Sequence, residues 1–168
     1  VFGYARFMQA VLPHMRAQKS GHIVNMTSVM GKISTPGFGW YAASKHAIEA
    51  LTDAVRGEVM DQGIDVVLIA PGLIKTEFVP RQLELLDTVA HPPVYREILN
   101  GLRRLLADEP QSPGPAIIAQ AVLHAVKSAS PPVRKPLPLD SKMAVGARWL
   151  FGARLFAWTV RKQMKLKF

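Results

Sequence analysis

The apolar positions of this chain follow two periods. Phe7, Met8, Val11, Leu12 and Met15 recur three or four apart and predict a helix over residues 1–18. Pro13 is expected to kink that helix or mark its last turns. Lys19-Ser20-Gly21 reads as a turn, and the short, largely apolar run Ile23 to Met26 as a strand near 22–27, covered on both faces. Gly31 to Gly39, with Pro36 and Gly37 inside, reads as a loop. Ala47, Ile48, Leu51, Ala54, Val55 and Val59 form the apolar side of a helix from about Tyr41 to Met60. Gly63 ends the connection, Ile64 to Ala70 is a second buried parallel strand, and Pro71-Gly72 breaks it. Helix, strand, helix, strand is half of a doubly wound α/β sheet, in which ligands bind beyond the carboxyl ends of the strands. Ser28 follows one strand and Pro71-Gly72 the other, so both are expected on one edge.

Beyond residue 75 the pattern is less regular. Residues 75–112 show no clean period apart from a predicted helix over roughly 93–107, carrying Val94, Ile98, Leu102, Leu105 and Leu106. A long excursion after a strand end is often a lid or binding loop, and a plain surface insertion is the alternative. Pro113-Gly114-Pro115 precedes a helix through about Ser128, with Pro115 suited to its first turn. Val133 begins a short strand expected at a sheet edge, because the segment around it is rich in proline. Residues 142–165 read as one helix, rich in Trp149, Phe151, Phe156 and Trp158. Projected at 100° per residue, its Arg148, Arg154, Arg161, Lys162 and Lys165 fall within about 140°. The division implied is an α/β unit over 1–140 and a basic, aromatic-rich helix over 141–168.

Composition narrows the classes. The chain has 168 residues, 49% of them hydrophobic, which suits one domain with a core and argues against disorder. No cysteine is present, so disulfides and thiolate metal sites are excluded, and a reducing, cytoplasmic setting is expected. The five histidines are scattered without metal-ligand spacing. The formal charge of +9 is uneven, with seven Lys/Arg and no Asp/Glu from Ser141 to Phe168. Such a tail is either a solvated face or a contact for an anionic partner. Polar side chains suited to base edges are sparse, so nucleic acid is not expected. Arg148 and Arg154 interrupt the apolar run, which disfavours a spanning helix and leaves an interfacial one, lying on a membrane surface through 142–168.

The candidate chemistry lies in Thr27-Ser28-Val29-Met30-Gly31 and Tyr41-Ala42-Ala43-Ser44-Lys45. Tyr and Lys four apart share one helix face. An ammonium fixed beside a phenol favours negative charge on the phenol oxygen, and a serine hydroxyl donates to a substrate oxygen. That is equipment for moving a proton on or off a carbinol. A lone Tyr-x-x-x-Lys is more often an ordinary helix face; here the surroundings reverse the odds.

Those surroundings resemble the short-chain dehydrogenase/reductase family. Gly21-His22-Ile23-Val24-Asn25-Met26-Thr27-Ser28 is similar to its strand leading to the catalytic serine. The step from Ser28 to Tyr41, the Tyr41-Ala42-Ala43-Ser44-Lys45 signature and the Pro71-Gly72-Leu73-Ile74-Lys75-Thr76 segment match in order. The resemblance covers roughly residues 1–80. It implies an α/β fold, the C-terminal part of a Rossmann-like doubly wound parallel sheet. It implies Tyr41 as general acid/base and a cofactor contact, Lys45 as its electrostatic partner and ribose ligand, and Ser28 as the group orienting the substrate oxygen. Pro71, Gly72, the Ile74 backbone and Thr76 would hold the nicotinamide end of NAD or NADP. Asn25 is equally plausible as a cofactor neighbour or a satisfied buried amide. The family's Gly-rich half does not occur in these residues, and its further catalytic Asn would fall just before Val1. The chain is therefore expected to be the C-terminal portion of such an enzyme, inactive alone. The implied substrate is a small apolar alcohol or ketone under a lid at 75–112, and the intact parent is expected to be a homo-oligomer. The alternative is a catalytically inactive fragment or an oligomerisation module.

Overall fold

The computed structural model describes residues 1–107 and 111–166; residues 108–110, within the segment expected as a lid, and residues 167–168, at the end of the expected basic helix, lie outside the described residues. Helix α1 (Phe2–Gln18) runs through Pro13, with Met8 and Leu12 buried along one side. It closes at Lys19, in the left-handed conformation (φ 52°), where the Lys19 and Ser20 amides return to the Arg16 and Met15 carbonyls. Strand β1 (Gly21–Met26) leaves that turn, and helix α2 (Gly39–Val59) follows the loop after β1. Strand β2 (Ile64–Pro71) begins after Gly63, which has φ 71°. A Cβ on Gly63 would lie 2.3 Å from the Lys19 carbonyl oxygen, so the turn before β2 lies against the turn before β1.

The two strands pair in parallel, Ile23 opposite Val66 and Asn25 opposite Leu68, as their buried apolar runs predict. Strand β3 (Arg134–Leu137) joins the other side of β2, also parallel, giving the order β1-β2-β3. β3 tolerates Pro136 because it lies at an edge of the described sheet. One face of the sheet is covered by α1 and α2, where Met8, Leu12, Ile23, Val55, Val59, Ile64 and Val66 form a core. The other face carries Val67 and Ile69 beneath helix α5 (Ala116–Lys127), which contributes Ala125 and Ile118. Central β2 is thus buried on both faces from Val66 to Ala70, which is why its sequence is apolar throughout that stretch, with Asp65 near its start half-exposed beside His22. Each such Val, Leu or Ile contributes roughly 1.5–3 kcal/mol by leaving water.

The region without a clean period contains two helices, α3 (Phe78–Thr88) and α4 (Arg96–Leu106). α4 matches expectation. α3 was not anticipated: Val79 is its one buried residue, so it has little apolar stripe to read, and Pro80 disguises its first turn. The tail forms α6 (Leu139–Gln163), but not as one straight helix. Gly152, at φ 74° and ψ 177°, breaks it, so the cationic arc projected across residues 148–165 does not run on one continuous face. The distal half docks on α4, where Val160, Met164 and Leu166 pack against Leu102. Gly101 permits this approach: a Cβ there would lie 3.0 Å from the Met164 carbonyl oxygen, and the Arg104 guanidinium donates to that oxygen.

Candidate active site

Three chain segments converge beyond the carboxyl ends of β1 and β2. The first is the turn after β1. Its Ser28 is buried, and its Oγ accepts from the Met30 amide at 3.2 Å and donates to the Pro71 carbonyl at 3.1 Å. One hydroxyl therefore joins the ends of both strands. The second is the first turns of α2, carrying Tyr41 and Lys45. The Lys45 ammonium lies 5.6 Å from the Tyr41 ring centroid and donates to the Met26 carbonyl at 3.4 Å. Burial holds Lys45 below the ordinary lysine range. The Tyr41 ring is wedged between Phe38 and Phe78, each with its centroid 5.9 Å away. The third is the segment after β2. Gly72 sits where a Cβ would meet the Ser141 hydroxyl at 1.7 Å, so only glycine lets the start of α6 close on this turn. Thr76 Oγ1 accepts from the Phe78 amide at 3.3 Å, at the start of α3.

A cavity of about 1450 Å³ opens among these segments. Ser28, Tyr41, Lys45, Pro71, Gly72, Ile74 and Thr76 all line it. Apolar walls come from Val79 of α3 and Leu106 of α4, from Ile118 and Val122 of α5, and from Phe156 and Val160 of α6. The residues singled out in sequence as a site thus share one cavity. Asn25 does not join them: its amide donates to Thr52 Oγ1 at 2.9 Å and approaches Met8 Sδ at 3.4 Å, a satisfied buried amide.

Two groups near the site were not anticipated. The Tyr4 hydroxyl donates to the Met26 carbonyl at 2.6 Å, the same oxygen that receives Lys45; burial, then the nearby Tyr41, pushes this phenol up. Glu49, two turns beyond Tyr41 on α2, is 2% exposed. The spacing 41, 45, 49 was readable as one helix face, but a glutamate on a long helix gives no sign of being buried.

The cavity beyond the strand ends of a parallel α/β sheet, lined by a Tyr–Lys pair and a serine, lies where α/β folds bind their ligands. The family model for short chain dehydrogenase matches residues 1–84, half of the chain. The chain belongs to the short-chain dehydrogenase family. It is 39% identical over 138 residues to the uncharacterized oxidoreductase YbbO of Escherichia coli K12, covering 82% of this chain and 47% of that protein. Its fold superimposes on a short-chain dehydrogenase from Streptomyces avermitilis with a TM-score of 0.73 and 29% identity, over 98% of this chain and 56% of the other. A short chain dehydrogenase/reductase from Burkholderia phymatum, solved in complex with NAD, matches with a TM-score of 0.69 and 25% identity, over 89% and 54% of the two chains. The chain spans about half the length of these relatives.

Proposed function

We propose that the protein containing this chain is an NAD(P)-dependent oxidoreductase that interconverts a secondary alcohol and a ketone, with Tyr41 as acid/base. The observation carrying this reading is the convergence of Ser28, Tyr41 and Lys45 on one largely apolar cavity. The residues present suit the nicotinamide end of a dinucleotide. Lys45 has three donors, of which Met26 O engages one, leaving donors for ribose hydroxyls. Pro71, Gly72, the Ile74 backbone and Thr76 would hold the carboxamide end. The chemistry the dinucleotide supplies when bound is hydride exchange at the carbinol carbon.

The chain's own residues handle the oxygen. Ser28 turns its O–H from the Pro71 carbonyl toward the substrate oxygen, while the Met30 amide still donates to its Oγ. In alcohol oxidation the Tyr41 oxygen takes the carbinol proton; in ketone reduction Tyr41 returns one to the oxygen. The Lys45 ammonium stabilises negative charge on the Tyr41 oxygen throughout. Phe38 and Phe78 hold the ring and limit water around it. The apolar walls favour an apolar substrate. Helices α3 and α4 serve as its cover.

Two partner surfaces accompany this reading. Phe2 and Phe7 of α1 and Trp40 of α2 are exposed, Trp40 to 93%, which supports assembly with a second copy across α1 and α2. The corner of α6 exposes Trp149, Leu150 and Phe151 between Arg148 and Arg154, which supports contact with an anionic membrane surface. Among the described residues no helix is long and apolar enough to cross a membrane.

The deciding experiment is Tyr41→Phe in the intact protein, assayed with NAD(H), NADP(H) and a panel of apolar secondary alcohols and ketones. Turnover is expected to fall about 10²–10⁴-fold with cofactor affinity nearly unchanged, because only the transferable proton is lost. Near-normal turnover would rule out Tyr41 as the acid/base.

A further inference from the structure

The face of α2 that carries Tyr41 and Lys45 continues to Glu49, and nothing in the proton chemistry uses that carboxylate. It is nevertheless 2% exposed and sits at the centre of a charged cluster. Glu49 Oε2 receives Arg134 of β3 through Nε at 2.8 Å and Nη2 at 2.6 Å, and lies 3.2 Å from the Lys32 ammonium. Arg134 also reaches Asp53 Oδ2 at 3.0 Å, and Arg56 reaches Asp53 Oδ1 at 2.5 Å. A carboxylate removed from water costs several kcal/mol unless its partners are well placed. Hydrophobic packing alone would serve this position without that cost.

What the cluster joins is specific. Lys32 follows the turn Val29–Gly31, which begins immediately after Ser28. Gly31 lies so close to α2 that a Cβ would meet Glu49 Cγ at 2.7 Å and the Lys45 carbonyl oxygen at 3.2 Å. The serine turn is therefore pressed onto the helix between the two residues that follow Tyr41 on its face. Arg134 opens β3, the strand paired with the end of β2 that leads into Pro71-Gly72. The Ser28 turn, the Tyr41 helix and the sheet edge beside the cofactor segment meet at one carboxylate.

We propose that Glu49 is a positioning residue: by holding Lys32 and Arg134 it seats the Ser28 turn on α2 and sets the distance between the Ser28 and Tyr41 oxygens. The inference rests on the acid/base reading of Tyr41. It predicts a loss of turnover without loss of binding, because a small misplacement of a reacting group costs rate while the cavity walls persist.

The test uses the intact protein, with Tyr41→Phe run alongside. Glu49→Gln is expected to lower kcat by about tenfold to a hundredfold, with KM and cofactor Kd little changed. Amide hydrogen exchange at Met30 to Ile33 is expected to quicken in that variant while β1 and β2 stay protected. Lys32→Met, at a side chain 37% exposed, gives a second, milder variant, in which Arg134 still partners the buried carboxylate. It is expected to lower kcat in the same direction, to add little to Glu49→Gln in the double variant, and to be rescued by Lys32→Arg. Unchanged kcat in folded Glu49→Gln and in Lys32→Met, or unchanged exchange at Met30 to Ile33, overturns the positioning role and leaves a stabilising ion pair. Wild-type turnover in Tyr41→Phe overturns the acid/base reading itself, so the two failures are distinct.

Discussion

The residue whose two roles conflict most is Lys45. In the proposed mechanism its charge is needed beside the Tyr41 oxygen, yet burial depresses its affinity for a proton. At neutral pH the folded protein therefore carries an unfavourable ammonium that the unfolded chain holds in water. Between the lowered folded-state value and the ordinary lysine value near 10.4, the unfolded chain binds more protons, and stability rises with pH. Lys45→Met is thus expected to raise the thermal midpoint at pH 7 while removing most turnover. The gain should shrink as pH climbs into the alkaline range, where the wild-type lysine sheds its proton. Melting curves of both proteins from pH 7 to 10 check this; a wild-type protein that outlasts the variant at pH 7 contradicts it. Asp53 shows the opposite sign. Partial burial pushes it up, but the Arg56 hydrogen bond and the Arg134 charge outweigh that and hold it below the usual range. Its contribution is present at neutral pH and lost on acidification through the folded-state value.

At the scale of elements, the turns set the geometry that the strands only carry. Lys19 and Gly63 both adopt left-handed backbone, and their turns abut at the bases of β1 and β2. This contact starts the two strands level, Gly21 opposite Ile64, and so brings Ser28 and Pro71 together at the far ends. Gly63→Ala meets both a strained φ and the Lys19 carbonyl, which backbone cannot easily move aside. It is expected to cost about 1–3 kcal/mol of stability by chemical denaturation. A loss within the ±0.5 kcal/mol usual for surface substitutions would show that the abutment is not rigid. Similarly, Gly101 on α4 and Gly152 in α6 let one tail serve two purposes: its distal half closes over the cavity, and its corner stays outside.

For the molecule as a whole, the charge distribution matters more than its sum. The corner of α6 leaves Trp149 85%, Leu150 67% and Phe151 57% exposed, with no acidic residue from Ser141 onward. The inner side of the same helix, through Phe156, Val160 and Gln163, lines the cavity. A membrane held at the corner would place the cavity wall close to lipid, a suitable source for an apolar substrate. Each cation near an anionic bilayer adds about 1 kcal/mol, and aromatic burial adds more. Binding to anionic but not neutral vesicles is expected, weakened by salt and reduced at least tenfold by Trp149→Ser with Phe151→Ser. Co-sedimentation that the double variant leaves untouched would assign the corner to another copy of the chain or to plain solvent exposure.

Local pattern was enough for much of this protein. The short runs Ile23 to Met26 and Ile64 to Ala70, apolar but for Asn25 and Asp65, specify parallel strands because so short and largely apolar a segment suits a strand covered on both faces. The Ser28, Tyr41 and Lys45 spacing marked the candidate site because a helix repeats its face every three or four residues. Pattern failed where the deciding contact is remote or where little surface is buried. Helix α3 hides because it buries one residue, and the break at Gly152 because glycine is also common inside irregular helices. Asn25 was ambiguous until Thr52 stood beside it, 27 residues away. Glu49 looked like a solvated charge until β3 folded back to bring Arg134 to it from 85 residues along the chain. Which segments become strands, and which residues come to line the candidate site, could be read along the chain, since these depend on near neighbours. Which charge is buried and which glycines permit close approach emerge only in the folded molecule, because those depend on segments that meet after the sheet has formed.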